Sequence, residues 1–174
     1  YAAKRMGSKA NIVLEDYRHQ TGKFDQIVSI EMFEAVGEKY WPTYFAKIKD
    51  LLSDKGKAVI QTITMNDDNF ESYKNGADFI RSYIFPGGLL PSPSRFSQEA
   101  ENAGLLAHNT FSFGQDYAKT LQLWLNKFDE KRDDVLSLGY DDHFIRLWRF
   151  YLAACIAGFK TGHTDVIQVE LSHA

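Results

Sequence analysis

An α/β fold, with a mostly parallel sheet, helices on both faces and an antiparallel last strand, is what this sequence predicts. Short apolar runs of strand length, such as Phe24 to Ile30 and Lys57 to Met65, alternate along the chain with helical stripes of period three to four. The final run is different. Ile167, Val169 and Leu171 alternate with Gln168 and Glu170, as in a half-exposed strand, and that pattern suits antiparallel pairing. No internal repeat and no linker divides the 174 residues, so they read as a single domain with room for a sizeable core.

Taken in order, Tyr1 to Met6 reads as the end of a helix closed by Gly7, and Asn11 to Leu14 as a short strand running into Glu15, Asp16, Tyr17 and Arg18. The Phe24 to Ile30 strand follows, entered through Asp25. An acidic turn leads to a helix starting near Trp41 and Pro42, because proline's missing N–H costs nothing in a first helical turn. Phe45, Ile48, Leu51 and Leu52 make its stripe, ending at the turn Ser53 to Gly56. Lys57 to Met65 is a strand, followed by a long polar loop and a short helix around Ala77 to Tyr83. Ile84 to Phe96 holds three of the four prolines and a glycine pair, which predicts a loop of defined shape. Ser94 or Ser97 can cap a helix to Ala103, ended by Gly104. Leu105 to Phe113 is strand-like. Tyr117, Leu121, Trp124 and Phe128 stripe one helix; Phe144, Leu147, Trp148, Tyr151, Leu152, Cys155 and Phe159 stripe another.

Composition narrows the classes. A net charge of -3 gives no general reason to expect nucleic acid, and no overall attraction to anionic membranes. The single cysteine, Cys155, excludes an internal disulfide and fits a reducing compartment. No apolar run approaches membrane-spanning length, and the N-terminus lacks signal-peptide regions. The expectation is a soluble, cytoplasmic domain. The histidines show no ligand spacing, so no metal is assigned.

The chemistry starts at Glu34, delivered into the loop beyond the Phe24 to Ile30 strand, where open α/β sheets build ligand sites. Four segments carry a resemblance. They are Ile30 to Gly37 (IEMFEAVG); Gln61-Thr62-Ile63-Thr64; Tyr83 to Gly88 with Leu90-Pro91-Ser92; and Phe113 to Tyr117. In this order they resemble the cyclopropane-fatty-acyl-phospholipid synthases, which are S-adenosylmethionine-dependent class I methyltransferases with a Rossmann-like sheet. The resemblance implies transfer of a methyl cation from S-adenosylmethionine to a cis double bond in a phospholipid acyl chain at the membrane surface. Proton loss then closes a three-membered ring. Family members hold a bicarbonate for that proton with a carboxylate, a histidine, a backbone group and a tyrosine. Glu34, Ile63 and Tyr117 match the carboxylate, backbone and tyrosine positions, but Gln61 stands where the family has histidine. Glutamine can hydrogen-bond an anion, yet it cannot titrate near neutral pH. Asp16, with Tyr17 beside it, follows a strand where such enzymes contact the donor's adenine; an ordinary turn aspartate explains it equally well. The aromatic helices line an acyl-chain tunnel on one reading and are plain core on the other.

The resemblance also implies a sheet ordered 3-2-1-4-5-7-6. The glycine-rich loop that receives the donor is not among these residues, so the chain reads as a C-terminal part lacking the first two strands. That would leave the edge of the Phe24 to Ile30 strand bare and prone to self-association. Two alternatives stay open: a methyltransferase for another acceptor, motivated by Gln61 and by Ala35 where histidine is common, and a non-catalytic interaction module.

Overall fold

The computed structural model describes the chain from Tyr1 to Ala174. Its centre is a four-stranded sheet of β1 (Phe24–Ile30), β2 (Leu52–Met65), β3 (Leu105–Ser112) and β4 (Thr164–His173), in the order β1-β2-β4-β3. β1 pairs parallel to β2, while β4 runs antiparallel to both β2 and β3. Three strands therefore point one way and the last runs against them. This is the 4-5-7-6 half of the expected order.

Alternation along β2 sorts the side chains to two faces. Ala58, Ile60, Thr62 and Thr64 are buried on one face, while Gln61 and Ile63 lie on the other. Helices α2 (Trp41–Leu51) and α4 (Pro93–Asn102) cover the first face, with α3 (Asp67–Asn75) beside them. Trp41, Tyr44, Phe45 and Ile48 of α2 join Phe96 and Ala100 of α4 and Ile167, Val169 and Leu171 of β4 in the larger core. Helices α5 (Gly114–Glu130) and α7 (Asp142–Thr161), linked by α6 (Arg132–Ser137), cover the second face. There Ala118, Leu121, Leu152, Ile156, Phe159 and Val166 form a smaller core. Asp141 starts α7 by accepting from the Phe144 N–H at 2.8 Å, and Gly162 ends it at a φ of 72°.

Several expected boundaries move. Asn11–Leu14 is not a strand: a strand needs a neighbour, none lies beside it, and Leu14 is fully exposed. The short α1 (Ala2–Met6) does end at Gly7. Ser53 to Gly56 bulges within β2 instead of ending it, and the pairing jumps from Phe24↔Leu52 to Gln26↔Lys57. Ser53 donates to Asp25 across the bulge at 2.6 Å. A Cβ at Gly56 would come within 2.9 Å of the Phe24 carbonyl, so glycine is required there. The polar stretch after β2 is helix α3, whose cap Asn66 accepts from the Asn69 N–H; with Phe70 as its one buried residue, it shows no stripe. The segment expected to be a short helix near Ala77 to Tyr83 is a π-helical turn at Ile80–Ile84. Ser92, not Ser94 or Ser97, caps α4 by accepting from the Arg95 N–H. β3 stops at Ser112 because Phe113 is the residue preceding α5.

Phe33, just beyond β1, sits at the centre of the larger core with no exposure. The rings of Tyr44, Trp41, Phe45 and Phe96 surround it at centroid distances of 4.9, 5.2, 5.4 and 5.5 Å. Phe33→Ala should therefore destabilise the fold by about 3–5 kcal/mol, the usual cost of emptying a phenylalanine site in a packed core. Urea unfolding measures this, and a loss below about 1 kcal/mol would show that the ring does not anchor the loop.

Candidate active site at the ends of β1 and β2

The site forms where the β1–β2 ladder stops. Ile30 is the last β1 residue in register, opposite Gln61, and the Glu31 N–H makes one more bond, 2.8 Å to the Gln61 carbonyl. The chain then turns away, and Glu31 takes a φ of 51°. This left-handed conformation costs a non-glycine residue roughly 1 kcal/mol. With β1 gone, the Ile63 N–H would have no strand partner. The side chain of Glu34, in the 3₁₀ turn Phe33–Ala35, replaces one: Oε1 accepts from the Ile63 N–H at 2.6 Å. The Glu34 carbonyl in turn accepts from the Leu89 N–H at 3.0 Å, which ties in the proline- and glycine-rich loop.

Glu34 is largely enclosed, and its Oε2 is buried without a partner. The nearby Thr62 hydroxyl gives its proton to the Ile63 carbonyl at 3.2 Å. Burial raises the Glu34 pKa, and it outweighs the opposing Ile63 N–H bond; the nearby Glu31 carboxylate adds to the rise.

A second carboxylate organises the rest. Glu31 Oε1 accepts from the Tyr117 hydroxyl and, at 2.8 Å, from Gln61 Nε2. Gln168 Nε2 donates to Gln61 Oε1 at 2.8 Å, which fixes the Gln61 amide so that its N–H group faces Glu31. Tyr117 stands in the first turn of α5, its ring 5.2 Å from that of Phe159 and 6.1 Å from that of Phe113. Burial first, then the bond to Glu31, pushes its pKa well above the usual phenol range, so the hydroxyl keeps its proton and acts as a donor. Beside it on α7, burial raises Tyr151 to about 12 and Cys155 to about 11. Phe85 and Trp148 pack against the Tyr151 ring at 6.0 and 5.0 Å.

Four residues expected at the site therefore do meet at the ends of β1 and β2, but as two pairs. Glu34 joins Ile63, while Gln61 and Tyr117 join Glu31. Sequence reasoning missed Glu31, and the signal was present: an acidic residue at the strand's end, three before Glu34, together with a glutamine where the resemblance expects histidine. Asp16 and Tyr17 are elsewhere. Asp16 caps the 3₁₀ turn Tyr17–His19, and both its oxygens bind Arg18, the guanidinium holding its pKa well below the carboxylate range. Tyr17 packs edge-on against Tyr44 at 5.7 Å.

Comparison with known proteins fixes the family. The mycolic acid cyclopropane synthetase family matches residues 1–169. The chain belongs to that family. A tuberculostearic acid methyltransferase, UfaA1 of Mycobacterium tuberculosis, is 41% identical over 98% of this chain and 40% of its own length. The cyclopropane-fatty-acyl-phospholipid synthase of Escherichia coli K12 is 34% identical over 95% of this chain and 42% of its own. Among solved structures, mycolic acid cyclopropane synthase CmaA1 complexed with SAH and CTAB superposes with a TM-score of 0.85 at 25% identity, covering 97% of this chain and 64% of that one. Cyclopropane synthase MmaA2 of M. tuberculosis, at 22% identity and a TM-score of 0.83, supports the fold. The chain thus spans about two fifths of the curated relatives' length.

The groups this cyclopropane synthetase segment presents do not fit a bound bicarbonate. The Ile63 N–H is taken by Glu34, and both Gln61 Nε2 and the Tyr117 hydroxyl are taken by Glu31. Asp16 is paired with Arg18, and Tyr17 is half-buried against the larger core.

The raised Glu34 pKa has a stability consequence. A carboxyl that holds its proton more tightly folded than unfolded contributes most at pH below the ordinary glutamate range, and that contribution is lost as pH rises through the raised value. Glu34→Gln removes the titration yet keeps an oxygen for Ile63. Its melting temperature relative to the parent should therefore climb as pH is raised from the ordinary glutamate range towards neutrality. Thermal melts across that range test it; a pH-independent difference would show that burial of the charge is not felt.

Proposed function

We propose that this chain is one domain, the C-terminal acceptor-side part of an S-adenosylmethionine-dependent methyltransferase that alkylates the cis double bond of unsaturated phospholipid acyl chains. The observation that carries the proposal is the meeting of two carboxylates at the ends of β1 and β2, Glu34 held by the Ile63 N–H and Glu31 by the Tyr117 hydroxyl, with the aromatic rings of Tyr117 and Tyr151 on the helices above. Methylating an alkene leaves a carbocation, and a site for it needs fixed negative charge and aromatic faces. Both are here. Family membership and the names of the relatives point to the same chemistry.

The acceptor side is apolar where a lipid chain would enter. Tyr83, Phe85 and Phe150 are exposed around the π-helical turn, with Phe79 packed on Phe150 at 4.7 Å. The proposed approach is peripheral, from the cytoplasmic surface of the bilayer; no helix is long and apolar enough to cross a membrane. Donor binding falls to the rest of a longer protein.

The test uses the complete protein with S-adenosylmethionine and vesicles of unsaturated phospholipid, the products being resolved by mass spectrometry and NMR. The expected outcome is an acyl chain one carbon heavier. Methylation of small amines in place of lipid would favour the other-acceptor reading that Gln61 suggests. Glu34→Gln should lower turnover by roughly 10²–10³ with little change in donor affinity, because its charge matters mainly when the cation forms. Tyr117→Phe should slow turnover less, since the ring face survives. A Glu34→Gln enzyme within about threefold of the parent, under roughly 1 kcal/mol, would remove Glu34 from the site.

A further inference from the structure

We infer that Glu31 is the built-in proton acceptor of this site, standing where other family members are expected to hold bicarbonate. The inference rests on the function proposed above and names the base within it. Two independent features of the chain support it.

The first is the hydrogen bonding. Glu31 Oε1 takes the two side-chain donors that would otherwise grip an anion, the Tyr117 hydroxyl and Gln61 Nε2. The Gln168–Gln61 bond leaves that amide a single useful orientation. Oε2 accepts no hydrogen bond within the chain and is free to take a proton. A permanent carboxylate needs only neutral donors, which accounts for glutamine where a mobile anion would be served by histidine. The second is the backbone. At a φ of 51°, glycine would be the unstrained residue, yet a glutamate is present. A merely structural residue gains nothing from that conformation.

The step balances. The donor supplies a methyl cation, the C–S pair staying on sulfur. The alkene's π pair forms the new C–CH₃ bond and leaves the neighbouring carbon positive. Glu31 Oε2 takes a proton from the added methyl, and the freed C–H pair closes the third side of the ring. Glu31, exposed in this chain, then returns the proton to water.

Turnover of the complete protein is measured in CO₂-free buffer, with and without added bicarbonate. The parent should be indifferent to bicarbonate within about twofold. Glu31→Gly relieves the backbone and opens the space; it should lose at least about 100-fold in kcat, the scale of a general base, and recover about tenfold or more with bicarbonate. Glu31→Gln keeps both hydrogen bonds and fills the space, so it should be as slow and show no recovery. Donor KM should hold in both variants. Binding of ¹³C-bicarbonate, followed by NMR, needs no turnover: Glu31→Gly should bind it and the parent should not. A parent that depends on or binds bicarbonate, a Glu31→Gln enzyme within about threefold of the parent, or a Glu31→Gly enzyme indifferent to bicarbonate would each overturn the inference. The methyltransferase reading fails separately, if the parent alkylates no lipid in any buffer.

Discussion

The 2.6 Å bond from the Ile63 N–H to the Glu34 carboxylate is the constraint on which the site depends. A parallel ladder that ends before its neighbour leaves a backbone donor inside the protein, and an unpaired buried donor costs on the order of 1–3 kcal/mol. Here a side chain from the departing strand's own loop fills the gap. That solution fixes the loop's path: Glu34 must fold back over β2, which sends Phe33 into the larger core and leaves Glu31 facing α5. The Leu89 N–H closes the arrangement from the other side by binding the Glu34 carbonyl. One backbone group left over by sheet geometry thus places both carboxylates.

The two cores share the work unequally. Phe33 with the aromatic residues of α2 and α4 sets the loop's position from below the sheet, and its burial supplies the larger part of the energy holding it. The smaller core under α5 and α7 sets the height of Tyr117 and Tyr151 above the opposite face. The site lies between the two because Gln61 and Ile63 point to the α5 side while Thr62 points to the α2 side. A shift of either helix layer would change the distance between Glu31 and Tyr117.

Much of the fold was legible because its signals are local. The Phe24 to Ile30 strand, the Pro42 helix start, the alternating last strand and the apolar stripe of α7 each announce themselves through periodicity or a single residue type. What failed was of another kind. Asn11–Leu14 has strand composition but no neighbour, and pairing is not written in a four-residue run. Helix α3 buries only Phe70, so its pattern is that of a polar loop, and its cap Asn66 was the available clue. In the site, the family resemblance brought Glu34, Gln61, Ile63 and Tyr117 to one place. It could not show which donor each carboxylate would claim, because that depends on the turn Glu31 makes after the ladder ends.

Two carboxylates three residues apart repel, and the fold resolves this by giving each its own donors. Glu34 has a backbone N–H and little water; Glu31 has a phenol, an amide and an exposed face. The consequences diverge accordingly. Burial raises the Glu34 pKa and leaves its second oxygen unpartnered, so its charge is costly and tied to the integrity of the loop. Glu31 keeps one oxygen anchored and the other unengaged, with a route to solvent. A group that must accept a proton and release it on every turnover needs that access, whereas a group that sets geometry does not. The division of roles between the two follows from where β1 stops.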